Sequence, residues 1–176
     1  MSLQFDDLRV LKSAETIADD IWREVIAWDA FARDVVGGQF ARATDSIGAN
    51  ISEAFGRFHY GEKLQFLYYA RGSLYESKYW LNRSASRGLI QAQRVQKYTT
   101  QLSQIAHQIN AFAKMIRGQR NNKTDATATT LKEPVPVYRA SGNEVETPIF
   151  DEIELHWIET YFGPVPKSLF DNQQNE

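Results

Sequence analysis

The sequence predicts an all-α fold: an antiparallel up-down-up-down four-helix bundle, followed by a C-terminal extension that carries a short fifth helix. Three observations carry this. Between residues 5 and 118, four stretches repeat apolar residues at steps of three and four, the period of a helix buried on one side. Short glycine-containing or polar turns separate them, which makes successive helices antiparallel neighbours. No stretch in this part alternates apolar and polar residues as a half-buried strand does. The expected organisation is a bundle over residues 1–120, a polar and Pro-containing linker over 121–147, and a short amphipathic helix with a tail over 148–176.

The first helix is expected from residue 5 to about 31, with Leu8, Leu11, Ala18, Ile21, Val25 and Trp28 on its apolar face. Gly37 and Gly38 then punctuate the chain, and Asp34 is the candidate N-cap of the second helix. That helix, Gln39 to Arg57, carries two stripes. Phe40, Ala43, Ile47, Ile51 and Ala54 form an apolar face. Gln39, Arg42, Ser46, Asn50, Glu53 and Arg57 recur one residue out of phase as a polar row. Ser and Asn are mediocre helix formers because they compete for backbone hydrogen bonds, so their regular placement beside a core seam calls for a reason.

The third helix is expected from about Tyr60 to Ser86, with Leu67, Ala70, Leu74 and Leu81 inward and a second polar row of Glu62, Tyr69, Ser73 and Glu76. Gly88 fits the position just past its C-terminus, with Arg83 and Arg87 in the last turn where the helix dipole favours cations. The fourth helix, Gln91 to Arg117, has an unbroken seam of Val95, Tyr98, Leu102, Ile105, Ile109, Phe112 and Ile116, with Gly118 as its stop. The interior Gly48 and Gly72 are expected to mark a close approach of helices two and three. In the extension, Thr147 is a candidate N-cap, Pro148 the first helical residue and Gly163–Pro164 the stop. Phe150, Ile153, Trp157 and Tyr161 share one face, expected to dock on the bundle, a neighbouring subunit or another partner.

Composition narrows the chemistry. The 176 residues contain no cysteine, which excludes disulfides, thiolate zinc sites and thiol catalysis. No stretch approaches the ~18 consecutive apolar residues that cross a bilayer, so a soluble, cytoplasmic protein without membrane partners is expected. A carboxylate di-metal bundle needs Glu three residues before His. His59, His107 and His156 are preceded at that spacing by Gly56, Gln104 and Ile153, so no metal, cofactor or small-molecule substrate is expected. No phosphate-binding glycine loop occurs, and the expectation is a non-enzyme. The net charge of −2 hides an asymmetry: residues 1–36 carry −4, residues 37–120 carry +8 and residues 121–176 carry −6. A basic middle between acidic ends fits either a polyanion partner or charge balance within one domain.

At residues 39 to 81 a resemblance appears. The pattern Q-x-x-R-A-x-x-S-I-x-x-N-I-x-E-x-x-x-R at Gln39–Arg57, with A-x-G-S-L-x-E at Ala70–Glu76, resembles the four-helix-bundle family of 23S rRNA intervening-sequence proteins. A more distant relative is the accessory variability determinant of diversity-generating retroelements. The chain reads Asn50-Ile51-Ser52-Glu53-Ala54 where family members usually have N-I-A-E-G, and residues 121–176 are an addition. The resemblance implies a bundle assembled as a ring-like homopentamer. The retroelement relative is a basic pentamer that binds nucleic acid and partners a reverse transcriptase.

The expected function is therefore a non-enzymatic oligomeric adaptor that contacts RNA, DNA or a nucleoprotein such as a reverse transcriptase. Its candidate contacts are Arg42, Arg57, Lys63, Arg71, Arg83, Arg87, Arg94 and Lys97. Gln39, Ser46, Asn50, Glu53, Ser73 and Glu76 are the candidate hydrogen-bonded network that sets register and oligomer state, with a ligand or RNA site as the other reading. The alternative function is a protein-binding scaffold that uses Phe150, Ile153, Trp157 and Tyr161 and has no nucleic-acid role.

Overall fold

Each long helix buries one stripe, and the four stripes meet in one core. The structure, a computed structural model, describes residues 8–126 and 148–160. Its elements are α1 (Arg9–Ile26), α2 (Ala30–Ala32), a π-helical turn (Arg33–Gly37), α3 (Gly38–Gly56), α4 (Tyr60–Ser86), α5 (Ala92–Ala126) and α6 (Glu152–Glu159). α1 packs on α3 and α5, and α4 packs on α3 and α5, closing an antiparallel four-helix bundle; α6 packs on α5. Every seam residue anticipated on helices two and four, from Phe40 to Ala54 and from Val95 to Ile116, is buried.

The first turn region departs from expectation. α1 ends at Ile26, about five residues early, although no glycine or proline stops it. The next helical stretch starts at Ala30, where the Asp29 carboxylate accepts the Ala32 N–H at 3.0 Å; Asp34 is not the cap but lies inside the π turn. Nor do Gly37 and Gly38 interrupt the helix. A Cβ on Gly37 would sit 2.4 Å from Val25 Cγ1, so glycine is there because α1 and the π turn touch.

Two further expectations about glycines fail. Gly72 has nothing within 4 Å of a Cβ position, and Gly48 faces Ala14 and Leu11 of α1 at ordinary contact distance, so neither marks an approach of α3 to α4. Gly118 does not stop α5, which continues to Ala126 through the first residues assigned to the linker. Among the described glycines only Gly88 has a positive φ, +70°. There the expected stop is realised: Gly88 N–H reaches the Ala85 carbonyl and Leu89 N–H the Ser84 carbonyl, both at 3.0 Å.

The extension begins its helix later than expected. Pro148 precedes the helix, and Asp151 is the N-cap, accepting the Glu154 N–H at 2.8 Å while Glu154 Oε2 accepts the Asp151 N–H at 2.9 Å. Thr147, Tyr161 and Gly163–Pro164 lie outside the described residues. No helix among the described residues is long and apolar enough to cross a membrane.

Candidate nucleic-acid interface

The eight basic candidates do not form one patch, because the up-down path sends them to different ends. Arg42 starts α3, Arg83 and Arg87 end α4, and Arg94 and Lys97 start α5, so these five share one end of the bundle. Arg57 and Lys63 flank the α3–α4 turn at the other end, and Arg71 lies midway along α4.

Five of the eight have structural work. Arg94 donates to Glu24 Oε2 at 2.6 Å, and Lys97 to Asp20 Oδ2 at 2.7 Å, tying α5 to α1. The Glu24 carboxylate is buried and also accepts the Tyr98 hydroxyl at 3.0 Å. Burial pushes the Asp20 carboxyl upward, but hydrogen bonds from Lys97 and from Gln101 outweigh it and hold Asp20 below the usual range. Arg57 pairs with Glu53 on its own helix and stacks over Phe66 with its guanidinium carbon 4.6 Å from the ring centre. Lys63 donates to the Phe55 carbonyl at 3.0 Å, at the negative end of α3, and burial lowers its pKa. Arg71 pairs with Glu154 of α6. Arg42, Arg83 and Arg87 are exposed and carry no ion pair among the described residues.

The polar row breaks into separate pieces within one chain. Asn50 Nδ2 donates to the Ser46 carbonyl at 2.8 Å and to Ser73 Oγ at 3.3 Å, the one hydrogen bond of the row that joins α3 to α4. Glu53 is taken by Arg57, and Glu76 accepts the Trp80 indole N–H at 3.3 Å. Gln39 is half-buried and joins neither group.

The residues proposed for partner docking are divided too. Phe150 is fully buried, and Tyr75 on α4 lies 5.9 Å from its ring and 5.2 Å from that of Trp157. Ile153 faces away, 79% exposed. The face actually turned to the bundle is Ile149, Phe150, Leu155, Trp157 and Ile158. Phe150 precedes the helix, which starts at Glu152, so it does not share a helical face with Ile153. Asn110 on α5 holds the Phe150 backbone from both sides, its Nδ2 donating to the carbonyl and its Oδ1 accepting the N–H, each at 2.8 Å. Glu159 accepts from Ser103 Oγ at 3.0 Å and lies 3.2 Å from His107 Nε2. The hydrogen bonds from His107 and then Ser103 lower the Glu159 pKa.

Two features escaped the sequence reading. Lys78 is fully buried between α4 and α5, its Nζ 3.4 Å from Thr99 Oγ1, and burial brings its pKa down to about 8. The signal was present: Lys78 stands four residues after Leu74 and three before Leu81, in phase with the core. The other is a cleft of about 250 Å³ between α1 and α3, lined by Leu11, Ala14 and Gly48 together with Glu15, Asp19 and Asp45. Burial, and then Asp19, raise the Asp45 pKa, and this acidic surface repels a polyanion. No cluster of potential metal ligands occurs among the described residues.

A family model described as 23S rRNA-intervening sequence protein matches residues 6–111, the span of α1 to most of α5. No curated protein matches the chain.

Proposed function

The chain belongs to the 23S rRNA-intervening sequence protein family, and from that premise we propose that it is a non-enzymatic adaptor that self-associates and binds RNA or an RNA-containing partner. Its contact surface is the bundle end where α3 starts and α4 stops. The division among the basic residues supports this reading. Arg57, Lys63, Arg71, Arg94 and Lys97 are engaged within the chain. Arg42, Arg83 and Arg87 keep exposed guanidinium groups without an ion pair among the described residues. Guanidinium groups are suited to bidentate contact with phosphate. Trp22, Ile26, Phe31 and Val35 are exposed along the end of α1 and the turn after it, which favours self-association, and five copies is the number the family resemblance implies. Repeating three arginines around a closed ring multiplies a modest patch into a strong polyanion surface.

The test is RNA binding across a salt series with the full chain. Affinity should fall linearly with salt on logarithmic axes, and Arg83→Ala with Arg87→Ala should reduce the slope by about 2 if each contacts one phosphate. Absent binding at low salt, or binding indifferent to salt, refutes the reading. A mass by light scattering equal to the monomer at all concentrations removes self-association from it.

A further inference from the structure

The groove under α6 is built from groups that suit a nucleic-acid strand. On the bundle side stand the Arg71 guanidinium, the Ser103 hydroxyl, the His107 imidazole, the Asn110 amide and the Tyr75 ring. The first three meet the Glu154 and Glu159 carboxylates. Asn110 pairs one donor and one acceptor with the Phe150 peptide, each at 2.8 Å. That bidentate pattern is the one an Asn amide makes with the N6/N7 edge of adenine. Tyr75 meets the Phe150 and Trp157 rings at 5.9 and 5.2 Å between centres, where a base can stack. From Ser103 to Asn110 the helix advances ~10 Å, the rise of about three stacked nucleotides.

We propose that this groove is a binding site for unpaired RNA nucleotides, adenine preferred at Asn110, and that α6 closes it by presenting carboxylates for phosphates, a peptide for a base edge and aromatic rings for a base. This rests on the RNA-binding reading above. α6 is then a competitor carried in the same chain, and a strand that enters must displace it.

The experiment uses the full chain with α6 released by Phe150→Ala and Trp157→Ala, and a milder Glu154→Gln, Glu159→Gln variant. Hydrogen exchange reports release of residues 149–160 and integrity of α1–α5. Anisotropy of a labelled ten-nucleotide oligoadenylate at low salt reports binding. Released variants should bind at least tenfold more tightly than the parent, and adding Asn110→Ala should abolish the gain. Unchanged affinity with α6 released overturns the proposal, and so does capture of a synthetic 148–160 peptide without any RNA binding, which makes the groove a peptide site. The outer surface is read separately. Binding lost with Arg83→Ala and Arg87→Ala but indifferent to α6 defeats this proposal and spares the proposed function. Binding that arises only on release supports this proposal and removes the outer arginines, not RNA binding itself, from the proposed function.

Discussion

Replacing Lys78 by methionine should stabilise the protein. The side chains are similar in length, so the substitution removes a charge while keeping the volume. Lys78 is 0% exposed, and its one hydrogen-bond partner among the described residues is a hydroxyl, Thr99 Oγ1, at 3.4 Å. A hydroxyl compensates a buried ammonium poorly. Burial shifts the pKa from 10.5 to about 8, and at 1.36 kcal/mol per unit this is a penalty of about 3 kcal/mol wherever the amine is charged in both states. The sign follows from proton counting. Below pH 8 both folded and unfolded chains carry the proton, and the penalty is complete. Between pH 8 and 10.5 the unfolded chain binds more protons, so stability rises with pH until the penalty is gone. Tyr98 works the other way above pH 10, because burial, then Glu24, raises its pKa and the folded state keeps its proton longer. Comparing Lys78→Met with the parent cancels the Tyr98 contribution. Urea unfolding at pH 7 should show the variant more stable by roughly 2–3 kcal/mol, or about 6–9 °C in Tm for a chain of this size. By pH 10 the gap should have largely closed. A variant less stable than the parent at pH 7, or a gap that does not narrow with pH, refutes the argument.

Two glycine substitutions should have opposite signs. Gly37→Ala places a Cβ 2.4 Å from Val25 Cγ1, a stiff β-branched side chain, and should cost roughly 1–3 kcal/mol in thermal or urea unfolding. Gly72→Ala meets nothing within 4 Å on an exposed helix face and should gain up to ~1 kcal/mol in the same assay. Asp151→Ala removes the side-chain half of the capping box, the acceptor of the Glu154 N–H, and should weaken α6 by about 1 kcal/mol. Because an eight-residue helix has little stability of its own, hydrogen exchange should quicken over 152–160 and stay unchanged in α1, α3, α4 and α5.

How the candidate surface divides was not legible in the sequence. Arg83 and Arg94 look alike in a string of letters, yet one is exposed without an ion pair among the described residues and the other is held by Glu24, seventy residues away. Spacing along one helix reports which residues share a face; it says nothing of which face of another helix meets it. The same limit dissolved the polar row. Its period placed Asn50 and Ser73 on the flank where α3 meets α4, and they do bond, but Glu53 and Glu76 found nearer partners one turn away.

What the chain determined alone was the set of buried stripes. Phe40 to Ala54, Leu67 to Leu81 and Val95 to Ile116 repeat so regularly that antiparallel packing of long helices is the one economical way to remove them from water. The Gly88 stop was equally local, since a left-handed residue ends a helix whatever lies around it. Tertiary structure decided the rest. It ended α1 at Ile26 and called for a glycine at residue 37, because the two segments press together there. It buried Lys78 by closing α5 over it, and it turned Phe150 inward by offering Asn110 to its backbone. These outcomes depend on contacts between residues far apart in sequence, and such contacts exist only once the helices have met.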